Sequence, residues 1–200
     1  MHPYLEAPPR IAIDLSGIAM TDELFARICR DNPEIGFELT ASGELVVVTP
    51  TGSQSGHREA QIIFRLQEWA HFDGTGIVFS SNALFTLPNG AKRMPDAAWI
   101  RRGRWDRLSS EAQEGFAPIA PDFIVELRSP SDRVSDLHEK MREYAANGVR
   151  LGWLFDPFAR DAWVYRPGAE ALHLRNPRWL DGGDVLPQFR FDFSEIIKPA

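Results

Sequence analysis

The chain has 200 residues, is 44% hydrophobic, and carries 28 acidic against 22 basic residues for a net charge of -6. That length suits one sizeable core better than two ordinary domains, and the charge has the wrong sign for a protein that coats nucleic acid with a broad basic surface. The single cysteine, Cys29, excludes an intramolecular disulfide and a multi-cysteine zinc site, no apolar run reaches the roughly 18 residues needed to cross a bilayer, and MHPYLEAPPR lacks the layout of a secretory leader.

The expectation is therefore a soluble, cytoplasmic, single domain over residues 1–200, with residues 1–17, rich in proline and without periodicity, as an N-terminal arm. Next, TDELFARICRDNP reads as a helix capped by Thr21 and stopped at Pro33. GFELTASGELVVVTP gives two apolar runs around Ala41-Ser42-Gly43, the mark of a β-hairpin. Over 55–71, Ile62, Ile63, Leu66 and Trp69 or Ala70 recur at helical spacing, with Ser55 available as an N-cap. Strands are predicted over 76–81, 96–100 and 122–128, separated by LPNGAKRMP and FAPIAP. SDLHEKMREYAANG reads as a helix ended by Gly148, and LGWLFDP, DAWVYRP and ALHLR as closing strands.

Strands on both sides of a helix, without strict alternation, favour a mixed α+β domain around a central sheet. Neither GxGxxG nor GxxxxGK occurs, so no nucleotide cofactor is expected. GxSxG is also missing, and Cys29 has no catalytic context.

The segment PDFIVELRSPSD is the most informative, because an apolar strand is interrupted by Glu126 and Arg128. With a period of two, Asp122, Ile124, Glu126 and Arg128 share a polar face, and Phe123, Val125 and Leu127 share a core face. A carboxylate on a buried strand costs several kcal/mol unless a cation compensates it. Two compensations are open: an ion pair with Arg128, or a metal. A second Pro-Asp pair, in RMPDAAWI, puts Asp96 at the mouth of a short strand. If the two strands are neighbours, Asp96 and Glu126 suit a hard cation such as magnesium; in isolation, an Asp after Pro is a turn or cap residue. Lys140, beside apolar Leu137, Met141 and Tyr144, would reach the same place from a helix crossing the sheet, although most helical lysines are solvated. Lys92, Arg93, Arg101, Arg102, Arg104 and Arg107, interleaved with Trp99 and Trp105, form a basic run that either contacts phosphate or is a solvated loop.

The order of MPDAAWI, PDFIVELRSPSD, KMREYAANGVRLGWLFDP and VYRPG resembles the Uma2 family of putative restriction endonucleases. The likeness runs from FELTASGELVVVTPTG, through a helix containing His57 and Glu59, to LPQFRFDFSEII, and so covers most of the chain. It implies the PD-(D/E)XK nuclease superfamily, with a restriction-endonuclease-like mixed sheet flanked by helices. It also implies a magnesium-dependent endonuclease acting on DNA, with manganese able to substitute, and a two-fold dimer to which Trp153, Trp163 and Trp179 are candidate contributors. By position, Asp96, Glu126 and the Leu127 carbonyl are the implied metal ligands and Glu59 an accessory carboxylate. The superfamily lysine position is occupied by Arg128, which stays protonated, so the lysine role passes to Lys140 and Arg128 is left to contact phosphate or brace Glu126. A nuclease fold without turnover, or a hydrolase of a smaller phosphoester, is the alternative reading.

Overall fold

Local sequence chemistry sets the first half of the architecture. The structure, a computed structural model, describes residues 11–197. Strand β1 (Ile11–Asp14) is followed by helix α1 (Asp22–Asp31), whose N-cap Thr21 accepts a hydrogen bond from the Leu24 amide. Strands β2 (Gly36–Leu39) and β3 (Glu44–Val48) form the expected hairpin. It turns through Gly43 at φ +90°, a conformation without steric cost only for glycine.

Two expectations are corrected here. The arm does not extend to residue 17: β1 pairs antiparallel with β3, Ile13 opposite Leu45, while residues 1–10 lie outside the described residues. Helix α2 (Ser53–Asp73) starts ahead of the predicted cap; its N-cap is Gly52, and Ser55 is a buried residue of the first turn.

The chain continues through β4 (Gly76–Ser80), β5 (Phe85–Thr86), β6 (Lys92–Arg93), β7 (Ala97–Arg101), α3 (Arg102–Trp105), α4 (Ser110–Glu114), β8 (Phe123–Leu127), α5 (Val134–Ala146), β9 (Leu151–Asp156), β10 (Asp161–Tyr165), β11 (Leu172–Arg175), β12 (Trp179–Asp181), β13 (Arg190–Asp192) and α6 (Ser194–Ile197). These strands form a five-stranded sheet ordered β1-β3-β2-β6-β5, a six-stranded sheet ordered β11-β10-β9-β8-β7-β4, and the β12-β13 ribbon. In the six-stranded sheet β8 and β9 run parallel and the other neighbours antiparallel. The parallel pair requires a crossover, and α5 is that crossover.

Both faces of β8 are covered, which corrects the expected polar face. On one side, Phe123, Val125 and Leu127 pack with Trp99, Trp153 and the α2 residues Ile62 and Leu66. On the other, Ile124 packs with Leu154 and with Met141 and Tyr144 of α5. A strand between two helical layers reads as a continuous apolar run, and a carboxylate within such a run is enclosed whichever way it points. Trp153, considered for a dimer contact, is a core residue at 1% exposure.

Candidate functional site

Strands β7 and β8 are antiparallel neighbours, with Ala97 opposite Val125. Asp96 immediately precedes β7 and so arrives beside the end of β8, where its Oδ2 accepts the Leu127 amide hydrogen at 2.5 Å. Asp96 is thus more than a turn residue, since it ties two strands together beside Glu126. Glu126 itself is only 4% exposed.

Helix α5 supplies the cation. Lys140 Nζ lies 2.8 Å from Glu126 Oε1 and 2.8 Å from Oε1 of Glu38, a residue of β2. The Tyr144 hydroxyl, one helical turn on, donates to the same Glu126 oxygen at 3.0 Å. Glu38, at 5% exposure, also accepts from the Met94 amide at 2.7 Å and from Arg93 Nη1 at 3.2 Å. Arg93 in turn pairs with Glu143 of α5 at 2.6 Å. The group lines a cleft of about 490 Å³ whose walls are the β2-β3 hairpin with residues 49–51, the segment 129–133 and α5.

Burial and the neighbouring Glu126 charge push the Asp96 carboxyl well above the usual carboxylate range. Burial raises Glu126 as well, with Glu38 adding to the rise and Lys140 opposing it. Glu38 is buried yet falls below the ordinary glutamate value, because Lys140 and Arg93 outweigh its desolvation. Lys140 is likewise desolvated, but Glu126 and Glu38 hold its pKa above that of an ordinary lysine, so it stays an ammonium.

Two buried acids whose proton affinities are raised by burial and by neighbouring carboxylates, with one internal ammonium among them, form a site that further positive charge would relieve. The donor set is carboxylate and backbone oxygen, which fits magnesium better than a soft metal. Among the described residues no group of three or more His, Cys, Asp or Glu side chains is arranged to hold a metal ion. A magnesium ion held by one or two carboxylates and retaining several waters does not require such a group.

The structure thus brings together Asp96, Glu126, the Leu127 backbone and Lys140. Glu59, in the first turns of α2, accepts from Ser81 Oγ at 2.5 Å and lies close enough for its charge to act on Asp96. His57 is exposed. Arg128 does not brace Glu126; it pairs with Asp156 at 2.8 Å, because Lys140 already occupies the glutamate. The basic run also comes apart. Lys92 and Arg93 are buried ion-pair partners of Asp22 and of Glu38 and Glu143, and Arg104 pairs with the buried Asp122.

Glu38 is the member of this cluster that sequence reasoning missed. The available signal was a carboxylate between Phe37 and Leu39 on a strand, the same anomaly that singled out Glu126.

A profile of the Uma2 family, described as "Putative restriction endonuclease", matches residues 22–194. Among solved structures, the fold is similar to that of a putative nuclease belonging to DUF820 from Anabaena variabilis ATCC 29413, with a TM-score of 0.69 and 18% identity over 82% of this chain and 90% of that one. No curated protein matches the chain. Among the described residues no helix is long and apolar enough to cross a membrane.

Proposed function

Because the chain belongs to the Uma2 family of putative restriction endonucleases, we propose that it is a metal-dependent endonuclease hydrolysing phosphodiester bonds in DNA. The observation that carries this reading is the contact of a buried, protonated Lys140 with Glu126 at 2.8 Å, beside an Asp96 that shares the same strand ends.

Asp96, Glu126 and the Leu127 carbonyl are the residues that would hold magnesium, or manganese in its place, with Glu59 as an accessory acid. When bound, the ion supplies Lewis-acid polarisation of the phosphate and acidification of water. Lys140 cannot serve as a base while its acid neighbours keep it charged. Its role is to donate to a phosphate oxygen and to offset the negative charge that builds up during attack, and a preorganised donor in a water-poor site does this effectively. Glu38 and Glu126 fix the ammonium from two sides, so little reorganisation is needed.

One observation favours a second reading, a nuclease fold without turnover: Lys140 already has two carboxylate partners. A hydrolase of a smaller phosphoester is tested by the same experiment. Calorimetry with magnesium and manganese is run on the parent and on an Asp96→Asn, Glu126→Gln double variant, with nicking of supercoiled DNA assayed on the same samples. Binding and nicking that both disappear in the variant support the endonuclease. Metal binding by the parent without nicking supports one of the alternatives, and absence of binding removes the metal from the account. A two-fold dimer is also proposed, with Trp179, 41% exposed, as the candidate contact among the three tryptophans; sedimentation of the Trp179→Ser variant tests it.

A further inference from the structure

Of the basic run of residues 92–107, Lys92, Arg93 and Arg104 are engaged by acids, while Arg101, Arg102 and Arg107 are exposed at or beyond the end of β7 opposite Asp96. An acidic protein that handles a polyanion beside Asp96 therefore needs positive charge from elsewhere. The structure assembles it at the end of β8 and β9 from three distant segments. Arg58, next to Glu59 on α2, and Arg128, two residues beyond Glu126, both place a guanidinium carbon 5.5 Å from the centre of the Phe158 ring. Phe158 lies in the β9-β10 turn and is 48% exposed.

This cluster is built rather than incidental. Asp156, at 3% exposure, organises it from beneath. Its Oδ1 accepts from the amides of Phe158 and Ala159 at 2.9 and 3.0 Å, and its Oδ2 accepts from Arg128 Nη1 at 2.8 Å. Arg58 is fixed separately, by a 2.7 Å bond from Nε to the Ile196 carbonyl. Arg128 Nε is buried and has no acceptor among the described residues. Arg160, in the same turn, holds a left-handed φ of 59°, a conformation uncommon outside glycine and indicative of a turn fixed by its surroundings. Two guanidinium groups are therefore held around one ring, and among the described residues Asp156 is the one carboxylate that pairs with either of them, which leaves an excess of positive charge. Fork-shaped donors that stay charged match phosphate oxygens.

We propose that Arg58 and Arg128, spaced by Phe158 and anchored by Asp156, form a clamp for the phosphates of a nucleic-acid strand alongside the Asp96–Glu126 pair. The clamp rests on the nuclease reading for its substrate and deepens it by assigning where the strand is gripped. Contacts of this kind set position and register and are blind to base sequence. They also explain how a chain with net charge -6 engages DNA through a local patch.

The test measures binding of a fluorescent single-stranded oligonucleotide and of its duplex by anisotropy in EDTA across a salt series, which needs neither metal nor turnover. Arg58→Gln is expected to weaken binding about tenfold, as for a lost hydrogen bond to a charged group. It should also reduce the slope of log affinity against log salt by about 0.7 for single strands or 0.9 for duplex. Phe158→Leu, at an exposed position, should weaken binding with no loss of melting temperature, and Arg128→Lys should keep the parent slope. Affinity and slope unchanged in Arg58→Gln and Phe158→Leu, or a parent that binds neither strand form, overturns the clamp. Inorganic phosphate that displaces the oligonucleotide at equal phosphate concentration would mark a free-phosphate site and also overturn it. Plasmid nicking on the same samples separates the two readings. A parent that nicks while the variants bind unchanged removes the clamp and keeps the nuclease; a parent that binds through these residues but never nicks keeps the clamp and removes the nuclease.

Discussion

Replacing Lys140 by alanine strips an ammonium from two carboxylates that are 4% and 5% exposed. Breaking a buried ion pair by removing one partner costs about 3–5 kcal/mol. Glu38 keeps Arg93 and the Met94 amide, and Glu126 keeps the Tyr144 hydroxyl, which argues for the lower half of that range. For a chain of this size, ~3 kcal/mol corresponds to a fall in melting temperature of roughly 6–12 °C. The loss must depend on pH. Pairing depresses Glu38 in the folded state, so its contribution is present above the unfolded glutamate value near 4.3 and is lost as pH falls through the lower folded value. The gap between parent and variant, measured by calorimetric melts from pH 8 to pH 4, should be widest at neutral pH and narrow toward pH 4, where the unpaired acids of the variant take up protons. Magnesium should raise the melting temperature of the variant more than that of the parent. A variant that melts within about 2 °C of the parent, less than 1 kcal/mol by the same relation, or that loses as much at pH 4 as at pH 8, would refute the role of Lys140 as the buried counter-charge.

Asp96→Asn should abolish nicking and stabilise the fold. The raised carboxyl imposes a cost that appears as pH rises past the unfolded aspartate value near 3.9 and is complete above the folded value, so the gain in denaturant melts should be small in acid and fullest at pH 7–8. Glu38→Gln should lower the nicking rate and leave magnesium affinity in calorimetry within a few-fold, because it loosens Lys140 without touching Asp96 or Glu126; equal loss of both would make Glu38 part of the metal site. Gly76→Ala should cost about 1–3 kcal/mol in chemical denaturation, since a Cβ there would stand 2.2 Å from the fully buried Trp99 ring; a neutral result would mean that β4 is free to shift.

Most of the fold was legible in local signals. The Thr21 cap, the Gly43 turn and the apolar spacing of Ile62 and Leu66 each act within a few residues, and each element stands where those signals put it. The edges were less legible where no side chain marks them: α2 begins at a bare Gly52, and β1 is defined by its pairing with β3. The site divides the same way. Glu126 betrays itself as a charge interrupting an apolar strand, and Asp96 as a charge set after a proline at the mouth of one. Glu38 carried the same mark but needed a partner to give it meaning, and that partner, Lys140, lies 102 residues further along the chain on another layer. Arg128 misled because its nearest acid in sequence is Glu126, whereas parallel pairing of β8 with β9 brings Asp156 within 2.8 Å.

The two large sheets share no strand, and on the cleft side they meet through α5, where Lys140 joins Glu38 of one sheet to Glu126 of the other and Glu143 takes Arg93. An oily joint would allow the sheets to slide, since apolar contact has no preferred direction. A joint of ionic hydrogen bonds has distances and angles to satisfy, and parting it exposes unmatched charge within the protein. The mouth of the cleft is therefore set like a bolted jaw: its gape is fixed by the same side chains that would meet the scissile phosphate, and substrate must fit that opening as it stands or supply the charge that replaces the bolts.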